Sequence, residues 1–211
     1  MSSTMGVVRM ERKEFVDVGF PARGCTLPVD HGYLLFSALC HLIPRLRDEP
    51  EWGVHPVLGR PIGSTHLELF QHSLVQLRVP TNHVGYVTEL GSQSVRVGRH
   101  LLKLGVPSVY PLQPARNLRS RCVTVHGHEE PERFEHALRR ELLSLPGLPD
   151  VTDIEIHVSE RCYVRTRSHV VPGFEVTLSN IEPETSLCIQ AHGVGGRRYL
   201  GLGLFMPHRP G

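Results

Sequence analysis

Three observations predict an α+β fold built twice over. Period-two apolar alternation marks strands, several segments carry helical apolar spacing, and the order of elements restarts after a proline-bearing stretch in mid-chain. "KEFVDVGF" (13–20) reads as a strand, with Phe15 and Asp17 alternating against Val16, Val18 and Phe20. In "GCTLPVDHGYLLFSALCHLIPRL" (24–46), Asp30 is placed to N-cap a helix, and Leu34, Leu35, Ala38, Leu39, Leu42 and Ile43 supply its apolar face. Pro44 ends it. Residues 66–79 read as a strand or hairpin, "TNHVGYVTEL" as a short helix, and "SVRVGRHLLKLG" as a strand pair. "SVYPLQPARN" (108–117), with two prolines, reads as a linker.

Beyond the linker, "LRSRCVTVHG" is a strand. "EPERFEHALRRELLSL" is an amphipathic helix with Glu130 and Glu132 at its positive end. Two strands, "TDIEIHVSERCYVRTRS" and "VVPGFEVTLSNI", precede the helix "EPETSLCIQAHG", which has Pro183 near its start and Gly193 after its last turn. "GLGLFMP" closes as a strand. Two β-α-β-β-α-β units therefore follow one another, which predicts tandem ferredoxin-like (RRM-like) halves at 1–112 and 113–211. The first ten residues carry no pattern.

Composition bounds the chemistry. A 40% apolar and 21% charged chain of 211 residues buries a core, and a net charge of +2 only mildly favours a polyanionic partner. Of 23 basic residues only Lys13 and Lys103 are lysines. Arginine pairs bidentately with phosphate and stacks on bases, although a genome-wide bias toward arginine accounts for the same excess. The cysteines Cys25, Cys40, Cys122, Cys162 and Cys188 are odd in number and scattered, without a C-x-x-C pair. This argues against a disulfide framework and a structural zinc site. Fourteen histidines lack metal-ligand spacing, so no metal or other cofactor is expected. No signal peptide and no apolar run of about 18 or more residues is present, which predicts a soluble, cytoplasmic protein without membrane attachment.

"GVGGRRYLGLGLFMP" (193–207) is the most distinctive stretch. Its glycines permit positive φ, close backbone approach and an anion-binding concavity of N–H groups, to which Arg197 and Arg198 add charge. No G-K-[ST] follows. The glycines leave a helix and enter a strand, the reverse of a dinucleotide-binding turn.

G-φ-G-x5-G-φ-G (φ apolar), with arginines among the five and a position near the C-terminus, resembles the glycine-rich loop of the repeat-associated RNA-binding (RAMP) proteins of CRISPR systems. Within that group the chain resembles the Cas6 endoribonucleases, which cut precursor guide RNA within its repeats. "LPVDHGYLLFSAL" (27–39) is similar to their first-helix opening, and the tandem order spans about 12–207. The resemblance implies metal-independent cleavage in which the 2′-hydroxyl attacks the scissile phosphorus, leaving a 2′,3′-cyclic phosphate and a 5′-hydroxyl. It also implies a repeat RNA partner, folded as a hairpin, and other subunits of an effector complex. The alternative is a non-catalytic RNA-binding subunit of such a complex.

The resemblance places a catalytic histidine in or just after the first helix, where His31, His41 and His55 stand. A histidine suits proton transfer near neutral pH. His41 is expected on the flank of an apolar face centred between Ala38 and Leu42, with Ser37 one turn before it. His31, beside Asp30, reads as mainly structural, and His55 stands on a loop or strand start; both remain candidates. For RNA binding the candidates are Gly193, Gly195, Gly196, Arg197, Arg198, Gly201 and Gly203 in the loop. Arg116, Arg119 and Arg121 enter the second half as a cluster, and Arg161, Arg165 and Arg167 share one strand face.

Overall fold

The computed structural model describes residues 13–148, 151 and 153–209. The patternless first ten residues lie outside them. The chain runs β1 (Phe15–Arg23), β2 (Thr26–Pro28), α1 (Gly32–Leu42), β3 (Gly53–Val54), β4 (Gly59–Ile62), β5 (His66–Leu69), β6 (Leu74–Pro80), α2 (Val84–Thr88), β7 (Ser94–Val97), β8 (His100–Leu104) and β9 (Ser108–Pro111). It continues as β10 (Leu118–Val123), α3 (Pro131–Leu143), β11 (Glu155–Arg165), β12 (Val170–Ser179), α4 (Pro183–His192) and β13 (Met206–Pro207).

The second unit follows the predicted order. Its sheet is arranged β11-β12-β10-β13, so each helix crosses over between strands of one antiparallel sheet. α3 buries Phe134, Ala137, Leu138 and Leu142 against Phe174, Val176 and Leu178 of β12. Of "GLGLFMP" only Met206–Pro207 joins the ladder, because Gly201 and Gly203 hold positive φ.

The first unit departs from the prediction in three places. Its main sheet is β3-β6-β1-β8-β7, and the strand after α1 is the two-residue β3. Residues 66–69 belong instead to a separate sheet, β2-β5-β4. The expected linker begins with β9, which pairs with β1 from Gly19↔Ser108 to Val16↔Pro111. Its prolines do not prevent this, since β9 is an edge strand whose outer side needs no donors.

α1 also sits differently from expectation. Its N-cap position is His31, with no side-chain cap, and Asp30 Oδ2 accepts the Arg165 backbone N–H at 2.8 Å instead. The buried residues are Leu35, Leu39 and Cys40, while Leu42 is exposed. His41 thus lies on the solvent side of the helix rather than on the flank of its packed face. The helix stops at Leu42, and Pro44 opens a 3-10 turn over Pro44–Arg47.

The two main sheets are joined through a buried ion pair. Arg78 on β6 is 0% exposed and donates to both Asp17 carboxylate oxygens on β1, at 2.8 and 2.7 Å. Its Nη1 reaches the Gln190 and Phe205 carbonyls at 2.8 and 2.9 Å. One guanidinium therefore fastens β1 to the end of α4 and the approach to β13.

Cys122 and Cys162 form a disulfide with their Cα atoms 5.9 Å apart, contrary to the expectation from cysteine spacing. Ladder irregularities between Ser120 and Val123 and between Val158 and Arg161 accompany it on β10 and β11. Gly173 of β12 leaves room, since a Cβ there would stand 2.8 Å from the Cys122 sulfur. Forty residues of sequence separation hid this pair.

Candidate active site and nucleic-acid interface

The glycine loop is built by steric need. Gly193, Gly195, Gly201 and Gly203 all hold positive φ. A Cβ at Gly203 would lie 2.1 Å from the Val194 oxygen, and one at Gly195 would lie 2.3 Å from the Thr124 oxygen. Its amides are largely committed within the protein: Val194 N–H to Gly203 O, Gly196 N–H to Thr124 O, Gly203 N–H to Cys122 O and Gly193 N–H to Ile189 O. The expected concavity of N–H groups is thus replaced by a loop stitched to β10 and to itself, with Val194, Leu200, Leu202 and Leu204 buried beneath it.

The two loop arginines part company. Arg198 is 6% exposed, and its Nη1 and Nη2 each lie 2.7 Å from a carbonyl, of His192 and Ala191 respectively. It caps the last turn of α4, where orphan carbonyls and the helix dipole favour a cation. Burial and the nearby Arg78 charge lower its pKa to about 10. Nη1 and Nη2 of Arg198 are thus held by the scaffold, while the residue also lines a cleft beside the loop and its buried Nε has no hydrogen-bond partner among the described residues. Arg197, in the left-handed region at φ 66°, instead turns outward and donates to His169 Nε2 at 2.9 Å.

Arg197 lines a cleft of about 660 Å³ between α1, the turn after it, the β11–β12 turn and the glycine loop. Tyr33 and Phe36 on α1, Arg47 after it, and Thr166, Arg167 and His169 of the β11–β12 turn share this cleft. Phe36 packs on Tyr199 with ring centroids 4.5 Å apart. Arg47, Arg167, Arg197 and Arg198 line it with a single acid, Glu49, so the cleft is cationic. Its size and charge suit one or two nucleotides. Tyr33, Arg47 and His169 were missed by sequence reasoning. The i, i+3 pairing of Tyr33 with Phe36 was the available signal, whereas nothing in the chain announced that the β11–β12 turn meets the glycine loop.

The three histidine candidates separate cleanly. His31 is buried, with Nδ1 2.9 Å from the Pro28 carbonyl and Nε2 accepting the Val57 N–H at 2.9 Å. Both nitrogens are spent, and burial pushes its pKa down. His55 is buried, with Nε2 3.1 Å from Asp17, and burial lowers its pKa too. Burial alone would raise the Asp17 carboxyl, but hydrogen bonds from His55 and Arg78 outweigh it and hold that group well below the usual carboxylate range. Both rings belong to the scaffold. His41 is exposed; its Nδ1 lies 2.6 Å from the Ser37 carbonyl, to which it donates. In the neutral ring the lone pair then lies on Nε2. The Ser37 contact runs through its backbone rather than its hydroxyl.

His41 is not among the cleft-lining residues. Helical geometry places it roughly 80° round α1 from Tyr33, with Ser37 roughly midway between. Tyr33, Ser37 and His41 thus form a continuous path along α1 out of the cleft.

The remaining arginines divide. Arg119 and Arg121 alternate outward on β10 and line a second cleft of about 490 Å³ with His72, His208 and Phe70. Phe70 stacks on His72 at 5.3 Å and 9°, and Arg119 is paired with Glu175 at 2.6 Å. Arg161 donates to the Glu129 carbonyl and lies over Phe174. Arg165 stands 4.0 Å from Asp30, and Arg116 is exposed and lines neither cleft. The glycine loop divides the two clefts: Leu200 lines the first, Gly201 and Leu204 the second.

Among the described residues Glu49, Glu51 and His83 could approach one cation. Arg45 already neutralises Glu49 at 2.7 Å and Lys13 neutralises Glu51 at 2.8 Å. His83 Nδ1 accepts the Trp52 indole N–H at 3.1 Å and its Nε2 faces the Arg45 guanidinium at 3.2 Å, so both ring nitrogens are already engaged by donors. The set is an ion-pair network. No helix among the described residues is long and apolar enough to cross a membrane.

A family model described as Cas6 Crispr matches residues 16–210. The chain belongs to the Cas6 family. It is 34% identical over 194 residues to the CRISPR-associated endonuclease Cas6 of Myxococcus xanthus (strain DK1622), covering 92% of this chain and 81% of that one. A solved CRISPR-associated Cas6 protein superposes with a TM-score of 0.66 at 13% identity, covering 93% of this chain and 99% of the other. A structure described as a RAMP protein binding different RNA substrates gives 0.66 at 15% identity, covering 93% and 100%. A Cas6-related protein from Pyrococcus furiosus gives 0.59 at 14%, covering 90% and 97%. These likenesses bear out the tandem ferredoxin-like fold. Cas6 proteins are the repeat-specific endoribonucleases of CRISPR systems, as the glycine loop and the first helix implied.

Proposed function

We propose that the chain cuts CRISPR precursor RNA within its repeats without a metal ion, with His41 as the proton acceptor. The observation that carries this is the His41 ring: its Nδ1 donates to the Ser37 carbonyl, which turns Nε2 toward solvent on an exposed residue about two turns along α1 from Tyr33 in the arginine-lined cleft. Nε2 takes the proton of the 2′-hydroxyl on the 5′ side of the cut. The 2′ oxygen then bonds to phosphorus, and the bond to the 5′ oxygen breaks. The 5′ oxygen takes a proton from solvent, leaving a 2′,3′-cyclic phosphate and a 5′-hydroxyl. Arg197, Arg167 and Arg47 offset the charge that grows on the phosphorane. A neutral imidazole and a cationic cleft suffice for this sequence, which is why no ion is invoked.

RNA as the partner is supported by family membership and by the RAMP relative described as binding different RNA substrates. A hairpin within the repeat, effector subunits as further partners and a cytoplasmic location complete the reading. So does a working division into halves at 1–112 and 113–211. Arg119 and Arg121 are assigned to the RNA strand outside the cut site.

The test incubates the protein with CRISPR repeat RNA in excess EDTA. Cleavage is expected, and a 2′-deoxy substitution at the cut site should abolish it. Tight binding with intact RNA would instead favour a non-catalytic RNA-holding subunit. Cutting of the 2′-deoxy RNA would exclude the mechanism.

A further inference from the structure

We propose that His169 is a positioning residue: it holds the Arg197 guanidinium in place over the cleft, ready to meet an RNA phosphate. The inference rests on reading that cleft as the RNA site. Arg197 occupies a left-handed backbone conformation, φ 66°, that is unfavourable for a non-glycine residue. Glycine stands at 195, 196 and 201 around it and would adopt that conformation freely. The backbone does not call for an arginine here, so the side chain must account for it.

That side chain is not left loose. Its Nη1 donates to His169 Nε2 at 2.9 Å across two different elements, the glycine loop and the β11–β12 turn. A guanidinium has only N–H donors, so Nε2 is the acceptor and the His169 proton lies on Nδ1. Nδ1 in turn lies 3.0 Å from the Ser168 hydroxyl and 3.2 Å from the Thr166 hydroxyl. The turn that carries the ring is closed by Thr166, whose hydroxyl donates to the His169 carbonyl at 2.8 Å and accepts its N–H at 3.2 Å. The Thr166 backbone N–H bonds the same carbonyl at 2.8 Å. At the base of the hairpin, Asp30 holds the Arg165 N–H and so fixes the turn relative to α1.

The chain of contacts therefore runs from the start of α1 through the hairpin to His169 and Arg197. With one guanidinium nitrogen held by His169, the others stay available for phosphate. An arginine ordered beforehand gives up less rotamer freedom when it binds. None of the bonds that hold His169 belongs to the core, and the residue is exposed, so its replacement leaves the fold intact.

The test measures the affinity of repeat RNA carrying 2′-deoxy at the cut site, together with single-turnover cleavage of all-ribo RNA. The proteins compared are wild type, His169→Ala, His169→Gln, His169→Lys, Arg197→Ala and the Arg197→Ala/His169→Ala double variant. Ordering of one long side chain predicts roughly three- to tenfold weaker binding for His169→Ala. Gln offers an amide oxygen near the Nε2 position and should restore affinity to within about twofold. Lys places a cation against the guanidinium and should bind worst of the His169 variants, if the acceptor role holds. In the Arg197→Ala background, removing His169 should change nothing more.

Weaker binding by Arg197→Ala with unchanged binding by His169→Ala would overturn the inference and leave the cleft as the RNA site. Equal losses for the Ala and Gln variants, or additive losses in the double variant, would overturn it too. Unchanged binding by Arg197→Ala would reject the cleft itself as the RNA site.

Discussion

At the scale of single residues, burial decides which titratable groups act and which support. His31 and His55 are both buried, and burial lowers the pKa of each below its value in the unfolded chain. The unfolded chain then binds more protons once the pH falls below about 6.5, so stability is full above that value and is lost on acidification. The melting temperature should fall between pH 7 and pH 5; a flat profile in calorimetry would contradict these burial assignments. The sequence showed three histidines close to α1 but not their environments, because burial depends on contacts with Pro28, Val57 and Asp17 that no local pattern encodes. The two adjacent arginines posed the same problem. Arg197 and Arg198 are equivalent in composition, yet a single step along a left-handed turn sends one to solvent and the other under α4. Arg198→Ala should destabilise the protein by removing a buried helix cap, on the order of 1–2 kcal/mol in denaturant titration. An unchanged midpoint would contradict that role.

At the scale of elements, the glycine loop is legible as a pattern, and the structure supplies a different reason for it. Spacing alone pointed to free amides, but the amides are bonded internally and the glycines exist because Val194 O and Thr124 O crowd their Cβ positions. Gly203→Ala should cost more than about 2 kcal/mol, since it adds a Cβ at positive φ against a backbone carbonyl. Gly196→Ala should be within about 0.5 kcal/mol of wild type, because a Cβ there meets nothing within 4 Å. Equal thermal shifts for the two would contradict the steric account. Helix periodicity located α1 well but misjudged its packed face. Leu35 and Leu39 fill the core as expected, joined by Cys40, whereas Leu34 and Leu42, expected on the same face, are exposed. The short β3 and the edge strand β9 were not readable, since two and four residues carry too little periodicity.

At the scale of the whole molecule, Arg78 and the Cys122–Cys162 bond hold the architecture. Arg78→Met would strand the Asp17 carboxylate in the interior and should destabilise by about 3–5 kcal/mol, a large share of a typical domain's stability. Thiol titration of the denatured, unreduced chain should find three of the five cysteines reactive; five would show that the disulfide is absent. The tandem order was visible in the sequence because helices and strands of ordinary length follow one another twice. The meeting of the β11–β12 turn with the glycine loop was not, since it depends on how β11 is anchored to the start of α1. The proposed role of His41, on the open side of α1, is the proton transfer. It is tested most directly by the single-turnover cleavage rate of His41→Ala on repeat RNA at saturating protein in EDTA. A loss of about 100-fold or more is expected; a rate equal to wild type would contradict the His41 assignment.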